Sequence, residues 1–413
     1  MNRLMLIAFS LLAPVVSVVA PAQAGIDASI NNATAPVARW VGEVVFFKIP
    51  VFGAQLPVVV LWLIVGAVFF TFYMKFVNLR GFRHAIHLVR GDYADPKSAG
   101  EVSHFQALAT AVSGTVAIGN IGGVAVAVTV GGAGATFWLI MAGFLGMSTK
   151  FVECTLGVKY RNENPDGSVS GGPMYYLRKG FADRGMDGFG RYIGAFYAIG
   201  IFIGALTPDG VAGGALGAMI IGFQRAVFSN EAGIGSASIA HSAVRTNEPV
   251  TEGYVSLLEP FIDTIVICTI TALVIGTTNV AQPGFAGDAT GVAMTSMAFE
   301  WQFSWFTIPL AFAAVLFAFS TMIAWSYYGL KGWTYLFGES DKMQTTYKVI
   351  FCVFVALGFM VQLGPLLKIS DAFVFLICVP NILGLFFLAP VVKREMEDYL
   401  ARLESGEIKR YKN

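Results

Sequence analysis

Nine apolar runs that approach the length of a membrane-spanning helix limit what this chain can fold into. A helix needs about 20 residues to cross the hydrocarbon of a bilayer. The runs cover residues 56–76, 104–129, 135–157, 192–207, 211–227, 254–278, 305–329, 348–363 and 370–392. Of the 413 residues, 56% are hydrophobic and only 13% are charged, outside the usual balance of soluble domains. Because lipid offers no partner to backbone polar groups, the runs predict an all-α polytopic membrane protein with about nine spans.

The first 24 residues have the pattern of a secretory signal peptide. Arg3 precedes an apolar stretch that begins at Leu4, and small residues at Ala22 and Ala24 form an A-x-A cleavage site. The alternative is an uncleaved first span, because the run is long and contains Pro14. In either case we expect the segment that follows to start on the outer side of the membrane.

The distribution of Lys and Arg predicts which loops stay inside the cell. Residues 75–103, 159–191, 240–253, 331–348 and 393–413 carry 21 of the 27 Lys and Arg residues, whereas the long loop 279–304 has none. Loop Lys and Arg resist translocation. The five segments are therefore predicted to be cytoplasmic, the C-terminus included, with residues 80–89 as an amphipathic helix on the inner surface. We expect a multi-pass protein of the plasma (inner) membrane.

Several function classes have no visible chemistry in this sequence. A net charge of +1, with no basic cluster outside the loops, argues against nucleic acid as a partner. Neither G-x-S-x-G, nor a P-loop, nor a metal-ligand set such as HExxH occurs. The four cysteines lie in apolar runs and are interpreted as small buried hydrophobes. The sequence therefore predicts a protein that is not an enzyme and has no cofactor.

The run 104–129 contains SGTVAIGNIGG, residues 113–123, which should weaken a helix. Glycine costs about 1 kcal/mol relative to alanine in a helix. Close packing through small residues is one interpretation of the glycines. Asn120 favours another, since an amide in mid-span needs partners and an unwound turn exposes carbonyls and N–H groups that can hold an ion and a zwitterion.

A second interruption is predicted at SNEAGIGSA, residues 229–237. Glu231 at the bilayer centre would cost roughly 2.5–3.5 kcal/mol unless it faced protein, so it should be paired or functional. Arg225, six residues earlier, is a candidate partner in a structural ion pair. In either case Gly233 and Gly235 indicate local unwinding.

A third polar site lies in FAFSTMIAWSYYG, residues 317–329. The hydroxyls of Ser320 and Thr321 either bond back to the preceding turn or contribute to a sodium shell with carbonyls of the run 104–129. Trp325 lies one turn beyond, and either caps an apolar side-chain pocket or anchors the helix at the membrane interface.

With these residues assembled, the chain resembles the sodium:alanine (glycine) symporter family. The resemblance extends from about residue 104 to 338. It is carried by HFQALATAVSGTVAIGNIGGVAVAV, GGAGATFWLIMAGFLGMSTKFVECTLGVKYR, GGPMYYLRKG, VFSNEAGIGSASIAHSAVRTNEP with FIDTIVICTITAL, and FSTMIAWSYYG. The resemblance implies the LeuT-type architecture, in which two five-helix repeats of opposite topology each begin with a broken helix. Those helices would be residues 104–129 and the helix interrupted by SNEAGIGSA.

The resemblance also implies roles for individual residues. The N–H groups of Ala117, Ile118 and Gly119 would bind the substrate carboxylate. Ser229 and Asn230 would contact the ammonium end of the substrate or the cation, and Trp325 would limit the size of the substrate side chain. Sodium ligands would be the carbonyls of Thr115 and Val116, the side chain of Asn120, and the hydroxyls of Ser320 and Thr321.

In two respects the chain departs from the family pattern. Ala117 and Gly122 stand where many relatives carry Gly and Ala. More importantly, relatives place about two more spans between GGPMYYLRKG and VFSNEAG than the two runs found here, so the first repeat is predicted to be short by about two helices. An incomplete repeat would leave the cavity open on one side.

These expectations divide the chain into a signal peptide (1–24), an N-terminal span with an inner-surface helix (25–103), a transporter core (104–392) and a cytoplasmic tail (393–413). The resemblance implies a secondary active symporter that couples sodium entry to uptake of alanine or glycine, with sodium as coupling ion. One alternative is a transport-inactive remnant that acts as a membrane binding or interaction protein. Another is a membrane-embedded enzyme, toward which only Arg225 and Glu231 point. Alanine against glycine or serine, and sodium against proton coupling, stay open.

Overall fold

A computed structural model describes residues 32, 34–51, 54–205, 225–227, 229–360 and 364–411. The predicted signal peptide and residues 211–224 of the predicted span 211–227 lie outside the described residues.

The N-terminal part forms a hairpin, one apolar helix and two short helices. Strands β1 (Lys48–Val51) and β2 (Ala54–Pro57) pair antiparallel and lead into α1 (Val58–Tyr73), which α2 (Val77–Arg80) and α3 (Phe82–Val89) follow. Helix α3 corresponds to the predicted surface helix. It buries Ala85 and Leu88 against the rest of the protein, while Arg83 stays exposed.

The predicted interruption of the run 104–129 is confirmed. Helix α4 (His104–Thr115) begins with a capping box at Ser103 and ends at Val116, whose backbone is extended. The chain resumes as a π-helical turn, Gly119–Gly123, which continues into α5 (Val124–Lys159). The two halves of this broken helix meet at a bend of 54°. A second break follows inside α5 at Gly132, whose φ of 60° is in the left-handed region, so α5 contains the end of the broken helix and the separate stretch Gly134–Lys159.

The C-terminal part of α5 is the centre of the molecule. Every residue from 146 to 158 is buried, so this helix is surrounded by others on all sides. A short hairpin of β3 (Asn162–Glu163) and β4 (Val169–Ser170) follows it, and then come α6 (Pro173–Ala182) and α7 (Asp187–Ala205).

The described residues of the second half of the chain are mostly helical, with loops between the helices. A helical stretch ends at Asn230, and α8 (Ala237–His241) follows the break. The further elements are α9 (Pro249–Ser256), α10 (Leu258–Pro260), a π-helical segment (Phe261–Cys268), α11 (Thr269–Ala281), α12 (Gly291–Gln302), α13 (Thr307–Phe337), α14 (Asp341–Met360) and α15 (Gly364–Glu404).

Five helical stretches within the described ranges are long and apolar enough to cross a membrane. They are Gly134–Lys159, Asp187–Ala205, Pro249–Ala281, Thr307–Phe337 and Ala372–Glu404. The bent pair around Val116 makes a sixth if it counts as one span, and α1 is apolar but only 16 residues long. The mostly helical, polytopic membrane architecture is therefore confirmed, while the count of nine spans and the inverted repeat stay predictions.

All five segments that were predicted to be cytoplasmic meet at one end of the helix bundle, which we call the basic end. Their contacts are Val102 with Val244, Arg161 with the Val244 carbonyl, Lys331 with the Val169 carbonyl, Lys159 with Glu395, Arg402 with Glu248, and Arg410 with Asp92. Segments that gather at one end lie on the same side of a membrane. The structure does not assign that side to the cytoplasm, which stays a prediction.

Candidate binding site at two broken helices

At the first break the chain folds back on the side chain of Asn120. The Ala117 N–H donates to Asn120 Oδ1 at 2.8 Å, and the Asn120 N–H donates to the Ala117 carbonyl at 3.1 Å. Asn120 is fully buried. Its amide thus closes the turn that replaces the missing helical hydrogen bonds, which is why an Asn among glycines marks this break.

The second break consists of three residues in the left-handed region. The φ angles are 55° at Glu231, 95° at Gly233 and 91° at Gly235. A Cβ at Gly233 would lie 2.4 Å from Leu63 Cδ2, so glycine is required there both by conformation and by space. The interruption predicted from Gly233 and Gly235 is therefore confirmed. Glu231 adopts the same conformation despite its side chain, at a cost of about 1–2 kcal/mol.

The two breaks contact each other through a cluster of buried polar side chains. Asn120 Nδ2 donates to Ser229 Oγ at 3.0 Å and to Asp263 Oδ1 at 2.6 Å. Ser229 Oγ donates to Asp263 Oδ2 at 2.8 Å, and Thr264 Oγ1 donates to the same oxygen at 2.7 Å. We call these four residues the Asp263 cluster. It joins the first broken helix, the second broken helix and the π-helical segment at one point.

Asp263 and Thr264 were not among the residues predicted from sequence. The available signal was an aspartate inside the apolar run 254–278, since an ionisable residue within a membrane span marks a functional site by default. Asn230, which was predicted, lies beside them: its Nδ2 donates to Thr264 Oγ1 at 2.9 Å and its Oδ1 accepts from the Ala232 N–H at 3.0 Å.

The predicted carboxylate-binding N–H groups differ in their surroundings. The N–H of Ala117 is already bonded to Asn120. Ile118 and Gly119 are half-buried at the N-terminus of the resumed helix, where first-turn N–H groups lack intrahelical acceptors and the helix dipole favours an anion. Among the residues that the structure describes, no atom lies within 4 Å of the position a Cβ would take on Gly119.

The predicted hydroxyl pair on α13 faces the first broken helix. Ser320 Oγ lies 3.3 Å from the Ser113 carbonyl oxygen, and Thr321 Oγ1 lies 3.5 Å from the same atom. Ser320 also donates to the Phe317 carbonyl of its own helix at 3.0 Å. The bond back to the preceding turn is thus present at Ser320, and the sodium shell stays a prediction. The carbonyl they reach belongs to Ser113, one turn before the predicted Val116.

Thr115 and Val116 occupy the C-terminal end of α4. The Thr115 hydroxyl lies 3.3 Å from each of the Ala111 and Val112 carbonyls. The last carbonyls of a helix have no intrahelical donor, so the carbonyls of Thr115 and Val116 lie where a cation would be favoured. The role of these two residues as sodium ligands stays a prediction.

Trp325 is buried and packs where α13 crosses α7. Its ring lies 3.5 Å from the position of a Cβ on Gly204, and its centroid is 5.9 Å from that of Tyr328. Tyr328 in turn packs on Gly114 of α4, with its hydroxyl 3.0 Å from the Cβ position there. Trp325 therefore lies one residue layer from the first broken helix, on the side of α7 and its end at Ala205.

Glu231 is buried and accepts a hydrogen bond from Ser236 Oγ, across the break in its own segment. The side chain of Arg225 extends toward Gly123, with Cδ 3.8 Å from the Cβ position there. The predicted ion pair between Arg225 and Glu231 stays a prediction.

Two further buried groups hold the second break from outside, and neither was predicted. Glu153 Oε1 of α5 accepts from the Gly233 N–H at 3.0 Å and from Asn381 Nδ2 at 2.8 Å. Asn381 Nδ2 of α15 also donates to the Gly233 carbonyl at 2.9 Å. The N–H and the carbonyl of Gly233 are thus both bonded to protein.

Comparison with known proteins places this geometry in a family. The family model described as "Sodium:alanine symporter family" matches residues 43–203 and 194–413. The chain belongs to the sodium:alanine symporter family. It is therefore a multi-pass membrane protein of a sodium and amino-acid symporter family, not an enzyme, and the resemblance seen in its motifs is confirmed.

Named relatives agree with this family but differ in the substrate that their names state. The chain is 31% identical to "Sodium/alanine symporter AgcS" of Methanococcus maripaludis over 429 residues, covering 83% of this chain and 94% of the relative. It is 28% identical to "Probable sodium/glutamine symporter GlnT" of Bacillus subtilis over 422 residues, covering 82% and 87%. It is 26% identical to "Amino-acid carrier protein AlsT" of Bacillus subtilis over 428 residues, covering 84% and 90%.

Proposed function

We propose that this member of the sodium:alanine symporter family couples sodium entry to the uptake of alanine or glycine across the plasma membrane, with its basic end in the cytoplasm. The observation that carries the proposal is the Asp263 cluster, through which two broken helices meet in the interior of the bundle. Broken helices that face each other are the means by which such transporters hold a zwitterion and an ion together.

The amino acid would lie between the two breaks. Its carboxylate would meet the N-terminus of the resumed helix at Ile118 and Gly119, where the dipole is positive, with Ala117 closing the turn. Its ammonium group would face Ser229 and Asn230, which the Asp263 cluster holds in place. The space beside Gly119 suits a small side chain, and Trp325 would limit its size from α13.

Sodium would be held by oxygen atoms of the first break and of α13. The hydroxyls of Ser320 and Thr321 and the Ser113 carbonyl already converge within 3.5 Å. The carbonyls of Thr115 and Val116 are close in sequence to this point, and Asn120 would act from the other side of the turn. Such a set of neutral oxygens matches the preference of a small hard cation.

The driving force is the membrane potential acting on the ion. One charge that moves through 100 mV releases about 2.3 kcal/mol, enough for roughly fifty-fold accumulation of substrate. Alternating access would come from rocking the bundle that contains both broken helices against the remaining helices.

The experiment that tests this proposal is uptake of radiolabelled alanine into proteoliposomes with and without a sodium gradient. We expect the gradient to stimulate uptake, and we expect Asn120→Ala to abolish the stimulation because it opens the turn at Ala117 and removes a donor to Asp263. Asn279→Ala, exposed in the last turn of α11, is the matched control and should transport normally. Sodium-stimulated uptake by Asn120→Ala at the wild-type rate would refute the role of Asn120.

A second candidate is a transport-inactive family member that binds its ligand without moving it. The supporting observation is a length difference: 83% of this chain is about 343 residues, yet its alignment with the Methanococcus relative extends over 429. The family model also matches in two pieces that meet at residues 194–203, close to the predicted gap in the first repeat. Sodium-dependent alanine binding without flux in proteoliposomes would favour this candidate.

A further inference from the structure

A row of buried acidic and basic side chains connects the second break to the basic end. From the interior outward it comprises Lys150, Glu259, His241, Glu252 and His104. These side chains come from α5, α10, α8, α9 and α4, and each is at most 5% exposed. We call this row the His241 chain. The proposed symport assigns it no role.

The contacts along the His241 chain are short except at one place. Lys150 Nζ donates to Glu259 Oε1 at 3.0 Å. His241 Nδ1 is 2.5 Å from Glu252 Oε1, and His104 Nδ1 is 2.5 Å from Glu252 Oε2. Glu259 Oε2 and His241 Nε2 are 3.5 Å apart, and among the described residues neither atom has a hydrogen-bond partner. That pair is the single interruption of the chain.

An imidazole between two carboxylates has the chemistry of a proton carrier. It takes a proton at one nitrogen and releases another from the opposite nitrogen, at a pH near neutrality. Transfer requires heavy atoms about 2.6–3.2 Å apart, so the Glu259–His241 gap must close for each transfer. A shift of a few tenths of an ångström between α8 and α10 would close it.

The charge balance of the interior favours retained protons. Buried carboxyl groups belong to Glu153, Glu231, Glu252, Glu259 and Asp263, whereas the buried groups able to carry positive charge beside them are Lys150, His104 and His241, with Arg225 half-buried. Unpaired buried carboxylates are strongly disfavoured. Even with both imidazoles charged, at least one carboxyl group therefore keeps its proton.

Other ionisable groups face the His241 chain from every side. Glu153 and Cys154 lie beside Lys150, Glu231 lies at the second break, and Tyr328 faces the chain from α13. Toward the basic end, His84 lies beside His104. Arg161 donates to the Ser242 carbonyl and pairs with Glu163. Arg161 is balanced by the exposed Glu163, so it leaves the charge of the chain unchanged.

We propose that the His241 chain binds an exchangeable proton and passes it between the second break and the basic end. Protonated Glu259 gives its proton to Nε2 of neutral His241, and the imidazolium gives its Nδ1 proton to the Glu252 carboxylate. Glu252 passes a proton to His104, from which it leaves at the basic end. His104 takes the proton at Nδ1 and releases one from Nε2. Reloading of Glu259, return of His241 to its Nδ1–H form and return of His104 to its Nε2–H form complete the cycle, with no net change in the protein.

Hydrogen–deuterium exchange of buried carboxyl groups tests the relay without any transport. The purified full chain is mixed rapidly into D₂O, and the carboxylic C=O band is followed by infrared spectroscopy. We expect the wild type to show a band that shifts quickly, and we expect Glu252→Gln to slow the shift of the remaining band at least ten-fold. Glu300→Gln, on the exposed face of α12, is the matched control and should leave the rate unchanged.

If Glu252→Gln does not fold, His104→Gln is tested in its place. It removes only the group from which the proton leaves the His241 chain. A wild type without an exchangeable carboxyl band, or equal exchange rates in wild type and either folded variant, would overturn the relay. These results do not depend on alanine uptake, so they separate the failure of the relay from failure of the proposed symport.

If the proposed symport holds, the relay has a consequence for transport. Uptake into proteoliposomes should depend on the pH of the compartment that the basic end faces, at constant pH on the other side. His241→Gln should lose this dependence, whereas His87→Gln, which is outside the His241 chain, should keep it. Equal dependence in wild type and His241→Gln would contradict proton exchange through His241.

Discussion

Asp263 accepts hydrogen bonds from Asn120, Ser229 and Thr264 in a place with no exposure to solvent. A carboxylate offers only acceptors, and these three donors come from three different segments. The carboxylate therefore sets the distance between the first break and the second. Asp263 acts as a positioning residue for the proposed substrate site, because it holds Asn120 and Ser229 and has no assigned contact with the substrate itself.

We expect Asp263→Asn to weaken sodium-dependent alanine binding about ten-fold or more. The new amide replaces one acceptor oxygen with an NH₂ donor, which faces side chains that are themselves donors. Hydrogen bonds are therefore lost, and each unsatisfied buried group costs about 1–3 kcal/mol. The measurement is binding of radiolabelled alanine to the purified chain, with thermal unfolding recorded alongside. Asp288→Asn makes the same change on an exposed loop and should behave as wild type. Wild-type binding by Asp263→Asn would show that the cluster does not position the site.

Gly119 is the residue at which the proposed pocket has room. We expect Gly119→Ala to fold normally, since no atom of the described part of the chain lies within 4 Å of the new Cβ and φ is not in the left-handed region. The added methyl group would occupy space proposed for the substrate side chain, so alanine affinity should fall several-fold more than glycine affinity. Competition binding with both amino acids measures this, with Gly188→Ala as the control. Equal losses for the two ligands would argue against a pocket beside Gly119.

At the scale of single elements, the second break is held by two neighbouring helices. Glu153 of α5 and Asn381 of α15 bond both peptide groups of Gly233, and Tyr197 of α7 donates to the Ile234 carbonyl at 2.9 Å. An unwound segment in lipid must have its backbone groups satisfied by protein. The break is thus a shaped element with its own partners, and its conformation depends on the helices packed around it.

We expect Gly233→Ala to destabilise the protein by about 2–4 kcal/mol. The left-handed φ of 95° costs an L-residue about 1–2 kcal/mol, and the clash with Leu63 adds an overpacking penalty of similar size. Gly276→Ala, inside α11 with open space around its Cβ, is the matched control and should be neutral or slightly stabilising. The two variants are compared by thermal unfolding in detergent, and equal stabilities would contradict the conformation assigned to the second break.

At the scale of the whole molecule, the basic end ties the two ends of the chain together. His84 of α3 contacts the Tyr399 hydroxyl of α15 at 2.7 Å, and the Tyr411 N–H donates to the Asp92 carbonyl at 2.7 Å. Arg402 makes two contacts with Glu248, which directly precedes α9. The tail therefore packs on the surface helix and on the segment that follows the second broken helix.

His84 is part of this arrangement, and its protonation should make the free energy of unfolding depend on pH. Burial and, to a smaller extent, the nearby charges of His87 and His104 together lower the pKa of His84 from 6.5 to about 4. The unfolded chain then binds a proton more readily than the folded one, so stability is lost as pH falls from about 6.5 toward 4. We expect His84→Gln to flatten this acid decline of the melting temperature by a few degrees.

Tyr399→Phe tests whether the acid decline comes from the burial of His84 or from its hydrogen bond with Tyr399. It removes the partner of His84 but leaves the imidazole in place, so the acid decline should persist. Asp92 does not contribute to the decline in this pH range. Hydrogen bonding from His87 lowers the pKa of Asp92 below its usual 3.8, so the stability that Asp92 contributes is lost only at lower pH. A variant His84→Gln with the wild-type slope would contradict the buried, neutral state of His84.

Local features of the sequence predicted both breaks, because glycine and polar side chains act on the backbone next to them. The residues around the breaks were predicted less well. Asn120 was expected to hold a cation, yet its side chain closes a turn and reaches Asp263, which is 143 residues away. The hydroxyl pair on α13 lies beside the carbonyl of Ser113, and the rotation of α4 against α13 decides which carbonyl faces the pair.

By itself, the sequence determined the mostly helical, polytopic membrane architecture, the two points at which helices come apart, and which segments gather at the basic end. Hydropathy, glycine content and charge act over a few residues, so these properties can be predicted from neighbours. Only the tertiary structure decided which buried polar and charged side chains contact each other. Lys150 pairs with Glu259 over 109 residues and Glu153 with Asn381 over 228 residues, and such partners are set by which helices pack together and on which faces.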